Sequence, residues 1–227
     1  MSLPKIHLLS FPRSGNHALR AILEYSSGRP TLGCPNSGES DVPIYLRPSN
    51  REGLIQIRST EPIAFKSHSI HETLYWDKKL DKELKLVLVT RDPLNSIFSQ
   101  VYRKLRKKIY VSRDRVDDEV KKEISAYMSL VYLYCSFSNR PRLHIKFEDV
   151  FSKDSSISLE SINSYLRFVD ECIPQITRQE LNGIFDQSKK SQRSLLLKRK
   201  AKLEKIIADS IREKIDYSDI LDKLHSC

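Results

Sequence analysis

The stretch Leu84 to Thr90, LKLVLVT, limits the possible folds more than any other in the chain. It is apolar and β-branched, and it lacks the apolar–polar alternation of a half-exposed strand. Such a strand needs cover on both faces, as a central strand of a parallel sheet has. Three shorter runs read as further strands: Lys5 to Phe11, Pro62 to Ser67 (PIAFKS) and Leu143 to Phe147 (LHIKF). Helical periodicity runs from His17 to Tyr25, Leu94 to Leu105, Val120 to Phe137 and Ser158 to Val169. Strands alternating with helices imply right-handed βαβ units. The expected fold class is therefore α/β, a three-layer sandwich with a central parallel sheet.

The 227 residues suffice for one domain, expected over 1–227. Within it, Ser26 to Glu61 is rich in Gly, Pro, Ser and Asn and reads as a long surface excursion over 26–61. The C-terminal part, 194–227, reads as a helical segment: a basic amphipathic helix from about Ser194, then a short helix from Ser218. No apolar run reaches the roughly 18 residues of a membrane span. The N-terminus lacks a signal-peptide pattern, so the expected compartment is cytoplasmic. The four cysteines (Cys34, Cys135, Cys172, Cys227) are scattered without CxxC spacing. That suits neither a zinc site nor a disulfide framework, and reduced thiols are expected. No metal-ligand cluster is present, so no metal is expected.

A net charge of +10 attracts polyanions or phosphorylated small molecules. The basic runs at Arg103–Lys108, Lys189 to Arg193 and Lys198–Lys200 read first as solvated faces. Aromatic residues are not interleaved with them, so no nucleic-acid partner is expected.

Three strand candidates run straight into polar residues: Phe11 into Pro-Arg-Ser-Gly, Phe65 into Lys-Ser-His, and Thr90 into Arg-Asp-Pro. Parallel sheets bind ligands at the carboxyl ends of their strands, so three neighbouring ends would converge on one pocket. In SFPRSGNHALR, Gly15 frees the backbone to turn its N–H groups inward at the start of a helix. Arg13 adds a planar charge suited to phosphate or sulfate oxygens, and Ser14 and Asn16 add donors. The Gly-Lys-Ser/Thr ending of a Walker A loop is absent, which disfavours a GTPase or ATPase.

These segments together resemble the sulfotransferases that use 3′-phosphoadenosine 5′-phosphosulfate (PAPS). SFPRSGNHALR resembles that family's 5′-phosphosulfate loop. VTRDPLNSIFSQ resembles its 3′-phosphate segment, with Arg91 at a strand end and Ser99 eight residues later. IKFEDV, Ile145 to Val150, resembles its later Tyr/Phe-Glu-Asp-Leu segment. Order and spacing agree from about Lys5 to Val169. Two departures stand out. Asn16-His17-Ala18 replaces the Thr-Thr-Trp common in cytosolic members, and the late Arg-Lys-Gly loop that grips the 3′-phosphate is missing. Lys189, Lys190 and Arg193 are the sequence candidates to replace that loop.

The resemblance implies a P-loop NTPase-like sulfotransferase architecture. It implies PAPS as donor, 3′,5′-adenosine bisphosphate (PAP) as product, and transfer to a hydroxyl or amine of a small-molecule or carbohydrate acceptor. FKSHS, Phe65 to Ser69, resembles the family's Lys-Thr-His stretch, which makes His68 the expected general base. Glu72 and His71 are the alternatives. Lys66 and Arg13 would stabilise charge at the transferred group. Ser14, Gly15, Asn16 and His17 would hold the 5′-phosphate, and Arg91 and Ser99 the 3′-phosphate. Arg91 has a structural alternative, an ion pair with Asp92 or Glu148. Two other readings remain: a P-loop-type nucleotide or small-molecule kinase, and a non-catalytic polyanion-binding protein.

Overall fold

A computed structural model describes residues 5–33, 61–79, 84–108, 110–152, 154–193, 201–215, 220 and 222–223. Five parallel strands form its sheet in the order β2-β3-β1-β4-β5. They are β1 (Ile6–Ser10), β2 (Thr31–Leu32), β3 (Ala64–Ser67), β4 (Lys85–Thr90) and β5 (Arg142–Lys146). The helices are α1 (Asn16–Ser27), α2 (Ile70–Lys79), α3 (Pro93–Leu105), α4 (Arg113–Ser136), α5 (Phe147–Val150), α6 (Ser155–Val169), α7 (Arg178–Arg193) and α8 (Ala201–Lys214).

The missing alternation in LKLVLVT has a direct structural cause. Val87 and Val89 belong to one core, with β1 residues Ile6 and Leu8 and side chains of α1, α6 and α7. Leu86 and Leu88 belong to the other, with Leu9 of β1 and side chains of α3, α4 and α8. Successive side chains on a strand point to opposite faces, so both faces must be apolar when helices cover both. The expected three-layer α/β sandwich with a central parallel sheet is what the chain adopts.

β1 lies at the centre of the sheet, paired with β3 on one side and β4 on the other. Leu9 pairs with Ser67, and Ser10 with Val89. The three polar strand ends read from the sequence are therefore adjacent. The chain leaves β1 towards β2 and β3, then crosses to β4 on the other side. Such a reversal opens a crevice at the carboxyl edge, where this class of sheet binds ligands.

Some elements differ from the sequence reading. Helix α4 starts at Arg113 rather than Val120, because Ser112 caps it by accepting the Arg115 N–H at 3.4 Å. Its first two turns are so charged that only Val116 and Val120 mark the buried face. Helices α2 and α7 were not expected. Helix α7 opens with a capping box, in which a Thr and a Glu three residues on satisfy the first N–H groups reciprocally. These are Thr177 and Glu180: the Thr177 N–H donates to Glu180 Oε2 at 2.8 Å, and the Glu180 N–H to Thr177 Oγ1 at 3.3 Å. In α2 the Glu72 N–H donates to Ser69 Oγ, while its carboxylate accepts the N–H of His68, one residue before Ser69. In the 26–61 excursion, Ser26 and Ser27 complete α1, and Thr31–Leu32 adds a short strand beside β3. The rest of the excursion, 34–60, lies outside the described residues, as do 194–200 and most of the segment from Ser218. Cys172 is an exposed free thiol, but Cys135 is disulfide-bonded, so the expectation of reduced thiols fails there. No helix of the described residues is long and apolar enough to cross a membrane.

Candidate functional site

The loop from β1 to α1 carries two left-handed residues, Arg13 at φ 72° and Gly15 at φ 84°. For Gly15 that conformation costs little, and space allows nothing larger. A Cβ there would stand 2.4 Å from Cδ2 of Phe147. For Arg13 the same region is unfavourable, and such strain persists where the surroundings impose it. Helix α1 then begins without a side-chain cap, so its first N–H groups face the loop.

Two side chains of this loop are buried with orphaned atoms. Ser14 is 0% exposed and Asn16 2% exposed, and neither Ser14 Oγ nor Asn16 Oδ1 has a hydrogen-bond partner among the described residues. Buried polar atoms rarely go unpaired, because each costs its full desolvation. A hydroxyl can donate to an anion, and an amide can turn its NH₂ towards one. The residues present thus suit an anionic group at the start of α1. His17 lies beside them but is exposed.

The end of β4 brings a second set of groups to the same place. The Arg13 Nε donates to Ser99 Oγ on α3 at 3.2 Å. Arg91 Nη1 approaches the Arg13 carbonyl at 3.4 Å, and its guanidinium carbon lies 4.7 Å from the centre of the Phe147 ring. The Arg91 backbone is held from below by Tyr127, whose hydroxyl donates to the Arg91 carbonyl at 3.0 Å. Burial pushes that phenol well above its ordinary pKa, so it remains a donor. Among the described residues Arg91 makes no ion pair. Asp92 instead caps α3 by accepting the Asn95 N–H at 2.9 Å, and Glu148 accepts the Asp92 N–H at 2.9 Å. Phe147 and Glu148 therefore clamp the β1 and β4 loops together.

Four arginines gather at this corner, and among the described residues none of them forms an ion pair. Arg13 is held below the usual arginine range by partial burial first, then by the charges of Arg103, Arg91 and Arg106. Like charges gathered in this way suit an anion.

On the other side of β1, the end of β3 supplies Lys66, Ser67 and His68. Lys66 is 1% exposed and Ser67 fully buried. His68 reaches across to β1, with Nδ1 2.6 Å from the Ser10 carbonyl oxygen and 3.2 Å from Ser10 Oγ. A carbonyl only accepts, so Nδ1 carries the hydrogen and the neutral ring has its lone pair on Nε2. This anchoring fixes the tautomer and the orientation of the ring. Glu72 is engaged differently: its Oε2 accepts the His68 N–H at 2.6 Å, and its own N–H donates to Ser69 Oγ at 3.3 Å. Its carboxylate serves the start of α2. His71 is exposed on that helix.

Lys189, Lys190 and Arg193 fall on the last turns of α7, and their side chains lie outside the described residues, as do those of Tyr75 and Trp76 on α2. The basic C-terminal helix is partly neutralised, since Lys214 pairs with Asp117 of α4 at 3.1 Å. Among the described residues no group of three His, Cys, Asp or Glu could hold a metal.

No protein-family model matches the chain, and no curated protein matches it either. Among solved structures, the crystal structure of mouse sulfotransferase SULT7A1 complexed with PAP is similar, with a TM-score of 0.51 and 15% sequence identity. The match covers 87% of this chain and 68% of the mouse chain. At that identity the likeness is one of fold: this chain has a sulfotransferase-like α/β fold.

Proposed function

We propose that the protein is a PAPS-dependent sulfotransferase acting on a hydroxyl or amine of a small-molecule or carbohydrate acceptor. The observation that carries this reading is the convergence of three strand ends on one cationic crevice. In it, among the described residues, Ser14 Oγ and Asn16 Oδ1 are buried without a hydrogen-bond partner, and Arg13 stands among the charges of Arg91, Arg103 and Arg106. A site of that kind suits a ligand with two separated anionic groups. The start of α1, with Ser14, Gly15, Asn16 and His17, would hold the 5′-phosphosulfate. Arg91 and Ser99 would hold the 3′-phosphate. Arg13, bonded to Ser99, belongs to both halves.

Sulfuryl transfer, like phosphoryl transfer, asks mainly for positioning and charge stabilisation. The acceptor oxygen forms a bond to sulfur as the bond from sulfur to the bridging phosphate oxygen breaks. The acceptor proton goes to His68 Nε2, and the Ser10 carbonyl then holds the imidazolium through its Nδ1–H. Lys66 and Arg13 offset charge on the sulfuryl and leaving oxygens. Every charge in this scheme is supplied by side chains and by the amides of α1.

Calorimetric titration with 3′,5′-adenosine bisphosphate, with ATP and with an oligonucleotide tests the reading. Micromolar binding of the bisphosphate, lost in Arg91→Ala, is the expected result. A preference for ATP would sink it in favour of a kinase, and preference for an oligonucleotide in favour of a polyanion binder.

A further inference from the structure

Among the described residues, the groups assigned above to the 3′-phosphate include one cation, Arg91, beside Ser99. The end of helix α3 supplies two more, one in its last turn and one at its C-cap. Arg103 and Arg106 stand four and seven residues beyond Ser99. At 3.6 residues per turn, all three fall within about 60° of one another on the helix surface. Helical side chains lean towards the N-terminus, over the preceding turn. Arg103 does so here: its Nε donates to Gln100 Oε1 at 3.2 Å, which lays the guanidinium back over the turn that carries Ser99. Arg106 follows, with an Nε that is buried and has no partner. The neighbouring Lys104 points the other way, paired with Glu119 and Glu123 of α4. Among the described residues no carboxylate pairs with Arg103 or Arg106. The two arginines therefore share the face of Ser99, while the lysine between them is spent on the fold.

We infer that Arg103 and Arg106 are donor-binding residues that recognise the 3′-phosphate together with Arg91 and Ser99, in place of a basic loop late in the chain. Their charges already reach Arg13, which bonds Ser99, so all the arginines of the corner address one spot. Arg103 keeps its two terminal nitrogens for the anion, and a planar fork of that kind recognises phosphate oxygens in pairs. The inference rests on the sulfotransferase reading but makes a separate demand: selectivity for the 3′-phosphate resides on α3.

The test is equilibrium binding of 3′,5′-adenosine bisphosphate and of adenosine 5′-monophosphate to the intact protein, Arg103→Ala and Arg103→Ala/Arg106→Ala. The single variant changes an exposed side chain, and thermal melts of both variants check the fold. Losing charge-assisted bonds should cost the double variant about tenfold or more in bisphosphate affinity, with monophosphate affinity changed less than about twofold. Arg103→Ala alone should show the same bias, smaller in size. Wild-type bisphosphate affinity in both variants, with Arg91→Ala still losing it, would overturn the inference and leave the sulfotransferase reading standing. An equal loss for both nucleotides would overturn the inference too, because the arginines would then act as a general field. A wild-type protein with no preference for the bisphosphate would overturn both.

Discussion

Two polar clusters lie along helix α1, and they are built on opposite electrostatic plans. Midway along the helix, Arg20 and Glu24 are both fully buried and both hold Thr31 of β2. Arg20 Nε donates to Thr31 Oγ1 at 2.8 Å, and Glu24 Oε1 accepts the Thr31 N–H at 2.8 Å and its hydroxyl at 2.5 Å. At the start of the same helix, Arg13 meets Arg91, Arg103 and Arg106, and Ser14 and Asn16 keep buried atoms without partners. The first cluster sets a buried cation and a buried anion on the same threonine and fastens an edge strand. The second gathers arginines around Arg13. Buried polarity alone thus does not mark a site; cations drawn together do. The prediction that follows is a division of labour: changes at the start of α1 and the adjoining strand ends alter chemistry, and changes midway along it alter stability.

The largest expected effect is at His68. His68→Ala should lower turnover by about 10²- to 10⁴-fold, the usual worth of a positioned general base. Bisphosphate affinity and melting temperature should stay near wild type. Steady-state kinetics beside a binding titration would read this, and retained turnover would remove His68 from the chemistry.

Glu24→Ala is the counterpart in the other cluster. It takes an opposite charge from a guanidinium with no exposed surface, and breaking such a buried arrangement costs about 3–5 kcal/mol. Urea unfolding should show that loss, while the folded protein still binds the bisphosphate within about twofold. A stability loss below about 1 kcal/mol would mean that Arg20 and Glu24 do not hold β2 as the geometry implies.

Gly15→Ala should cross the divide and so sharpens it. The new Cβ would press on Phe147, which is also the ring beneath Arg91. The strained backbone alone costs about 1–3 kcal/mol, and the displaced ring should lower bisphosphate affinity as well. Stability lost with affinity intact would show that Phe147 does not couple the two halves of the crevice.

The sequence made part of this contrast legible and hid the rest for physical reasons. The central sheet was readable because LKLVLVT is buried on both faces, and the three polar strand ends could be placed by the logic of parallel sheets. Helix α2 escaped because its apolar period is weak, and α7 because only Leu181, Ile184 and Phe185 mark its apolar face, although SIHE and TRQE were capping signals in plain view. Strand β2 is two residues long and is held by side chains of α1, so no local pattern could announce it. Arg13, Arg91 and Ser99 were each named from the sequence. Their joining through the Arg13–Ser99 bond was not, because contacts between residues 86 positions apart are set by the register of β1 against β4. The arginines on α3 looked like a solvated face, since charge runs carry no mark of direction until Lys104 is seen turning away from its neighbours.

The smallest expected effect concerns Glu72, which sits next to His68 and could be mistaken for part of the chemistry. Its carboxylate accepts the His68 N–H at the start of α2, and its N–H is bonded by Ser69, so it has the bonding of a helix cap. Glu72→Gln keeps an acceptor oxygen for that N–H and removes only a negative charge from the first turn. Interaction with the helix dipole is worth about 0.3–1 kcal/mol there, and thermal melts should show a loss of that size. Turnover should stay within about threefold of wild type, because a base role would make a neutral amide as damaging as His68→Ala. Near-complete loss of turnover with unchanged binding would move the proton acceptor from His68 to Glu72. It would also break the contrast at its nearest point, since a carboxylate engaged by the fold would then be carrying the chemistry.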